Sequence, residues 1–93
     1  MPYFCYIVEC ADGSFYTGLS TDPQRREKQH NKGSGARYTR QRRPVHLVYI
    51  EPQPDQRSAM KRERALKKLS HAQKLALVLA VQQDGLINDK QPI

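Results

Sequence analysis

Apolar residues occur in short runs near the N-terminus and at helical spacing near the C-terminus. Residues 3–10, 14–20 and 45–51 are rich in β-branched and aromatic side chains, so each predicts a strand. We expect Pro52 and Pro54 to end the third strand, because proline has no backbone N–H to donate. The first two strands are separated by a few turn-forming residues and therefore form a hairpin.

A first helix is predicted between the second and third strands. Asp22 is a suitable N-cap and Pro23 suits the first helical position, so the helix begins there and runs to about Asn31. Gly33 follows closely and favours a helix end. Residues 33–44 are rich in glycine and arginine, which indicates a loop that holds one short turn.

Two further helices are predicted after the third strand. Ser58 opens the first of them, which runs through Leu69. Ser70 then caps the second, and Gln73 completes a Ser-x-x-Gln capping box. This last helix should end before Gly85.

The order of elements, β-β-α-β-α-α, predicts an α+β fold. A small three-stranded sheet, made of the hairpin and one further strand, packs with about three helices. At 93 residues the chain forms one domain. We expect this domain to span residues 1–85 and residues 86–93 to form a loose tail.

Two tyrosines lie on the hairpin, and the length of its turn decides whether they share a face of the sheet. A two-residue turn places Tyr6 and Tyr16 on opposite faces, because side chains alternate along a strand. A three-residue turn pairs Tyr6 with Gly18 and puts both tyrosines on one face. We favour the longer turn because it needs a left-handed residue, which suits Gly13. Gly18 then leaves space opposite Tyr6 for a phosphate. Alternatively, both tyrosines are ordinary strand aromatics.

The first helix has almost no hydrophobic residue and so lacks an apolar face for anchoring. Arg26 and His30 are four residues apart and share one side of this helix. If that side faces the sheet, both approach the tyrosines. The alternative is a solvated helix with both side chains exposed, and we expect exposure for Arg25, Lys28 and Gln29.

Glu63 lies on the packing side of the second predicted helix, with Ala59 and Leu66. A carboxylate there is costly unless it is paired or binds a cation. Basic neighbours make an ion pair the ordinary explanation. A lone carboxylate also suits Mg²⁺, which keeps several water ligands and binds substrate phosphates. Both interpretations stay open.

The net charge of +7 favours a polyanionic partner, with nucleic acid the leading candidate. The same charge can also serve solubility alone. Cys5 and Cys10 lie on one predicted strand and face opposite sides, so we expect no disulfide between them and a cytoplasmic location. The longest apolar stretch, residues 75–81, is too short to span a bilayer, and no membrane partner is expected.

Taken together, these residues resemble the GIY-YIG nuclease family, most closely its small single-domain bacterial branch, over roughly residues 3–75. Residues 4–6 (Phe-Cys-Tyr) match the first motif and residues 16–18 (Tyr-Thr-Gly) the second. Residues 35–40 and 63–74 look like features of the small branch. The first motif keeps only its tyrosine, since Phe and Cys replace Gly and Ile, and Thr replaces Ile in the second.

The resemblance implies a GIY-YIG-like fold and metal-dependent hydrolysis of DNA phosphodiester bonds. It places the catalytic set on Tyr6, Tyr16, Arg26 and His30, and the metal ligand on Glu63. Tyr16 would act as general base or relay a proton, and Arg26 would stabilise charge in the transition state. Glu63 would hold one Mg²⁺ or Mn²⁺ ion. Tyr6 would position water or phosphate, and His30 would share the proton.

We expect five residues to contact the substrate: Gly18, Arg37, Tyr38, Arg40 and Lys67. Tyr38 can equally be a packing residue. Because basic side chains bind phosphates without distinguishing sequences, the expected substrate is DNA selected by shape, either branched or single-stranded, in repair or recombination. A protein partner would supply target specificity. The alternatives are a non-catalytic nucleic-acid-binding domain with a degenerate site, and a structural protein with incidental charge.

Overall fold

The computed structural model describes the backbone of residues 2–88 and the side chains of residues 2–81. It contains, in chain order, β1 (Tyr3–Glu9), β2 (Phe15–Ser20), α1 (Pro23–Lys32), α2 (Arg37–Arg40), β3 (His46–Gln53), α3 (Gln56–Lys67) and α4 (His71–Asn88). The predicted α+β class is confirmed. The predicted short turn in the glycine- and arginine-rich loop is α2, so the order is β-β-α-α-β-α-α, with four helices in place of about three.

The sheet is antiparallel, with β1 between β2 and β3. The Cys10 amide donates to the Ser14 carbonyl at 2.8 Å, and the Gly13 amide donates to the Cys10 carbonyl at 2.9 Å. Gly13 has a φ of 84°, the left-handed conformation that such a turn needs. The three-residue turn is therefore confirmed, and it pairs Tyr6 with Gly18.

The third strand is longer than the sequence pattern predicts. We expected Pro52 to end it, but β3 continues to Gln53, and Pro52 pairs with Phe4 of β1. The prediction was wrong because β3 is an edge strand, where a residue without an N–H is tolerated.

The third helix begins earlier than predicted. Asp55, not Ser58, is the N-cap, and its carboxylate accepts a hydrogen bond from the Ser58 amide at 2.8 Å. Ser58 is thus the third residue of α3, and the helix ends at Lys67 rather than Leu69. Aspartate and serine are both strong N-caps, so the sequence alone offers two starts.

The fourth helix has the predicted start and a different end. The Gln73 amide donates to Ser70 Oγ at 3.1 Å and the Ser70 amide donates to Gln73 Oε1 at 2.8 Å, which confirms the capping box. The helix was expected to end before Gly85 but continues to Asn88. Residues 86–88 of the predicted tail are therefore helical, and the rest of that tail lies outside the described residues.

The sheet has two differently covered faces. On one face, which we call the apolar face, Cys5 and Ile7 pack with α3 and α4, whose residues Ala59, Leu66 and Val78 are buried. On the other, which we call the site face, α1 and α2 lie over Tyr6, Val8 and Tyr16. Both cysteines are free, as predicted. Within residues 2–88, no helix combines the length and apolarity needed to cross a membrane.

Candidate active site

Helix α1 is anchored to β3 by polar side chains instead of apolar ones. Asn31 Oδ1 accepts from the Val45 amide at 2.7 Å, and its side-chain amide donates to the Val45 carbonyl at 3.0 Å. Glu27 Oε2 accepts from the Leu47 amide at 2.7 Å. These bonds satisfy edge groups of the sheet and fix the rotation of the helix, which turns His30 toward the sheet.

His30 is fully buried, and it bonds to the first tyrosine of the hairpin. Its Nε2 lies 2.9 Å from Tyr6 Oη, and Tyr6 is only 1% exposed. The alternative of an exposed histidine is therefore wrong. The phenol of Tyr6 also fills the space above Gly18, since a Cβ at that glycine would lie 2.5 Å from Tyr6 Oη. The gap expected there for a phosphate is thus occupied by the tyrosine itself.

The other ring nitrogen of His30 has a partner that sequence reasoning missed. His30 Nδ1 lies 2.7 Å from Thr39 Oγ1, and this hydroxyl lies 2.9 Å from the Ala36 carbonyl. Gly35 lets α2 approach, because a Cβ at Gly35 would collide with His30 Nδ1. The signal in the sequence was a threonine within an arginine-rich turn. That signal does not predict a hydrogen bond to a histidine nine positions earlier.

Tyr16 lies at the edge of this buried pair and is half-exposed. Its ring meets the His30 ring edge-on, with centroids 5.4 Å apart, and stacks with Tyr38 at 5.9 Å. The guanidinium carbon of Arg42 lies 3.8 Å from the centre of the Tyr38 ring. Tyr38 is 38% exposed, so the stack is accessible to solvent. Arg42 was not among the residues that we expected to contact the substrate.

Arg26 is half-buried and carries the positive charge nearest to this pair. Its Nη1 donates to Gln29 Oε1 at 2.8 Å, so Gln29 is not the solvated residue that we expected. Burial raises the pKa of Tyr6, and the Arg26 guanidinium opposes that rise. Burial and Arg26 both lower the pKa of His30. His30 is therefore neutral at pH 7 and has one nitrogen free to accept a proton.

Glu63 lies on α3, and its carboxylate is 3.6 Å from Lys67 Nζ. This contact matches the ion pair considered above, and it engages the lysine that we expected to bind substrate. The Glu63 charge acts to raise the pKa values of both Tyr6 and Cys5, which lie on opposite faces of the sheet, and α3 itself packs on the apolar face. Among the described residues, no group of three His, Cys, Asp or Glu side chains gathers as a metal cage.

A lone carboxylate nevertheless suits one class of cation. Mg²⁺ is commonly bound through one or two carboxylates, with water and substrate phosphates as its other ligands. The Glu63 side chain is 19% exposed, which leaves part of it open to solvent. Glu63 therefore fits a divalent cation that draws most of its ligands from outside the protein.

The remaining predicted substrate residues lie on the surface of α2. Arg37 and Arg40 are exposed, on the same four-residue helix that carries Tyr38 and Thr39. Arg40 also lines an open cleft next to Arg43. These two arginines therefore lie at the surface of α2, outside the buried pair.

Comparison with known proteins places this arrangement in a family. Residues 2–76 match the family described as the GIY-YIG catalytic domain. The chain belongs to the GIY-YIG family. It is 49% identical over 76 residues to a UPF0213 protein of Staphylococcus aureus strain Mu3, an alignment that covers 82% of this chain and 93% of that protein.

Two solved structures are similar to this GIY-YIG chain. The UPF0213 protein BH0048 from Bacillus halodurans is 46% identical, with a TM-score of 0.55, over 86% of this chain and 85% of that one. The protein EF2693 from E. faecalis is 38% identical, with a TM-score of 0.59, over 89% of this chain and 88% of that one. The GIY-YIG domain associates the chain with a family of nucleases, and its relatives are small bacterial proteins of the UPF0213 group.

Proposed function

We propose that this GIY-YIG protein is a metal-dependent endonuclease that hydrolyses DNA phosphodiester bonds on the site face. The observation that carries the proposal is the buried hydrogen bond between Tyr6 and His30, with Arg26 beside it and Tyr16 at its solvent edge. A buried phenol and imidazole next to a guanidinium cost stability, and they supply the acid–base and anion-binding groups that this hydrolysis needs.

Each side chain has a role that follows from its exposure. Tyr16 is the tyrosine that solvent reaches, so it acts as the general base toward the attacking water. Tyr6 and His30 are at most 1% exposed, so they act from behind Tyr16 by hydrogen bonding and packing and do not contact the phosphate. Arg26 stabilises the negative charge that develops on the phosphate oxygens, because a guanidinium can donate two hydrogen bonds to them.

Glu63 is the residue that would hold a divalent cation, either Mg²⁺ or Mn²⁺. When bound, such an ion neutralises charge on the phosphate and on the leaving oxygen. The Lys67 ammonium lies 3.6 Å from the Glu63 carboxylate, and a divalent cation held by that carboxylate would displace it.

The substrate that fits this surface is DNA recognised by shape. Arg37, Arg40 and the stacked pair of Tyr38 and Arg42 lie on or next to α2 and suit phosphates and unstacked bases. Branched or single-stranded DNA presents both, which fits a role in repair or recombination. A protein partner supplies the choice of target. The two free cysteines fit a cytoplasmic location.

A second candidate function is nucleic-acid binding without cleavage. The observation that favours it is the Glu63–Lys67 contact, which gives the carboxylate a cationic partner without a metal ion. This alternative predicts salt-sensitive DNA binding that survives Glu63→Gln and no turnover with any divalent ion.

The test is cleavage of plasmid and branched oligonucleotides with Mg²⁺ or Mn²⁺, together with DNA binding. Arg26→Ala should lower the rate about 100- to 1,000-fold, the typical cost of removing one donor to transition-state charge. Glu63→Gln should remove the stimulation by metal.

The matched controls are Arg25→Ala and Glu9→Gln, which change exposed residues of the same types and should leave cleavage unchanged. Binding without cleavage by the unmodified protein would support the second function instead. Equal cleavage by all five proteins would show that the site is wrong.

A further inference from the structure

The direction of the hydrogen bond between Tyr6 and His30 depends on which nitrogen of His30 carries the proton. A neutral imidazole has one N–H donor and one acceptor nitrogen. His30 is buried between two hydroxyl groups, those of Tyr6 at Nε2 and Thr39 at Nδ1. Each hydroxyl can donate only one hydrogen bond. The acceptor that Thr39 uses therefore determines whether the Tyr6 hydroxyl donates to His30 or accepts from it.

Two arrangements of protons are possible. In the first, His30 Nδ1–H donates to Thr39, the Thr39 hydroxyl donates to the Ala36 carbonyl, and the Tyr6 hydroxyl donates to Nε2. In the second, Nε2–H donates to Tyr6, while Nδ1 accepts from Thr39 and from the Ala36 amide at 3.3 Å. The second arrangement leaves the Tyr6 hydroxyl proton without a protein acceptor among the bonds of the described residues.

Burial favours the first arrangement. Tyr6 is 1% exposed, so a hydroxyl proton without an acceptor there is costly. The first arrangement has a cost of its own, because the Ala36 N–H then faces a protonated Nδ1 at 3.3 Å instead of an acceptor; Ala36 is half-exposed, so water offsets part of that cost. The hydrogen bond of 2.7 Å between Nδ1 and Thr39 Oγ1 exists in both arrangements. The first arrangement adds the bond of 2.9 Å from the Thr39 hydroxyl to the Ala36 carbonyl, whereas the second adds only the longer contact of 3.3 Å from the Ala36 amide.

The position of Arg26 is consistent with the first arrangement. Its guanidinium only donates hydrogen bonds, and it lies close enough to Tyr6 to oppose the rise in the pKa of that phenol. When Tyr6 donates its own proton to His30, its oxygen lone pairs are free to face Arg26.

We propose that Thr39 is a positioning residue that keeps the proton of His30 on Nδ1, so that Nε2 accepts the hydroxyl proton of Tyr6. If that proton transfers, the O–H bond of Tyr6 breaks and an N–H bond forms at Nε2. The products are a phenolate and an imidazolium that keeps its Nδ1–H bond to Thr39. The assignment of the tautomer stands on the geometry alone, and its effect on cleavage rests on the proposed function.

The experiment measures the His30 tautomer by long-range ¹H–¹⁵N NMR correlation, which distinguishes protonated from unprotonated ring nitrogens. The chain has three histidines, so the His30 signals can be assigned by substituting the other two. We expect protonated Nδ1 in the unmodified protein and in Thr39→Ser, which keeps the hydroxyl. In Thr39→Val the remaining partner of Nδ1 is the Ala36 amide, a donor, so the proton should move to Nε2.

Thr17→Val is the matched control. Thr17 is a buried threonine on the apolar face, and among the described residues its Oγ1 has no hydrogen-bond partner. The same substitution there should leave the His30 tautomer unchanged. Protonated Nε2 in the unmodified protein would overturn the proposal, even if Thr39→Val failed to fold. An unchanged tautomer in a folded Thr39→Val protein would overturn it as well.

Cleavage kinetics provide the second measurement. Thr39→Val should lower kcat about 10- to 100-fold with little change in KM, the usual range for residues that orient a functional histidine, whereas Thr39→Ser should restore most of the rate. If the tautomer changes as expected and cleavage does not, Thr39 has no role in positioning for catalysis. If no variant or unmodified protein cleaves DNA, the proposed function fails while the tautomer assignment stands.

Discussion

The two faces of the sheet are held together by different kinds of interaction. On the apolar face, Ala59 and Leu66 of α3 pack on Cys5, and stability comes from removing apolar surface from water. On the site face, α1 is fixed by Asn31 and by the hydrogen bonds of the buried His30. Apolar packing tolerates many arrangements, whereas buried polar groups are stable only when each donor meets an acceptor.

Two buried threonines show the difference most directly. Thr17 on the apolar face is 2% exposed, and its hydroxyl has no partner among the described residues, whereas Thr39 on the site face is 0% exposed and bonds at 2.7 Å and 2.9 Å. The residue type and the burial are the same. On the site face, hydrogen bonds of buried polar groups therefore fix the orientation of side chains, and on the apolar face they do not.

Leu66→Ala should have the largest effect on stability. Leu66 is fully buried on the apolar face, and removing such a side chain typically costs about 2–5 kcal/mol of unfolding free energy. Urea denaturation measures the loss. Met60→Ala on the same helix is the control, because Met60 is 41% exposed. Equal losses at the two positions would contradict the assignment of the core to this face.

Asn31→Ala should cost less, about 1–3 kcal/mol, because it removes two hydrogen bonds and leaves the buried Val45 amide without its acceptor. Amide hydrogen exchange should accelerate at Val45. Lys28→Ala, an exposed change on the same helix, is the control for helix propensity. A protein as stable as that control would mean that α1 is not anchored through Asn31.

Thr17→Val should have the smallest effect, and in the opposite direction. Replacing a buried hydroxyl that has no partner by a methyl group of the same shape should raise the free energy of unfolding by roughly 1 kcal/mol. Thermal denaturation measures the change. Destabilisation would show that the Thr17 hydroxyl has a partner, such as a buried water.

Local rules predicted the hairpin and the shared face of its tyrosines. The left-handed Gly13 sets the turn length, and the turn sets the register, so Tyr6 and Tyr16 followed from adjacent residues. The extension of β3 through Pro52 did not follow, because it depends on which strand becomes the edge of the sheet.

Part of the candidate site was also predictable from residues close together in the sequence. His30 and Arg26 were expected beside the tyrosines because they share one side of a helix that lacks apolar residues. The partners that hold them, Thr39 and Asn31, act through contacts made by the tertiary fold, to the imidazole and to the backbone of Val45 just before β3. No spacing rule along the chain indicates such contacts. The ion pair between Glu63 and Lys67 does follow the i, i+4 spacing of a helix, and it was one of the two expected states of that carboxylate.

Single-turnover cleavage of a branched DNA by Tyr16→Phe and Tyr3→Phe tests whether the site face performs the chemistry. Both changes remove one hydroxyl from a half-buried tyrosine, the first on the site face and the second on the apolar face. Tyr16→Phe should lower the rate about 100- to 10,000-fold, the usual contribution of a general base, with DNA binding unchanged. Tyr3→Phe should cleave at the unmodified rate. Cleavage by Tyr16→Phe at the same rate as by Tyr3→Phe would contradict the claim that the site face performs the chemistry.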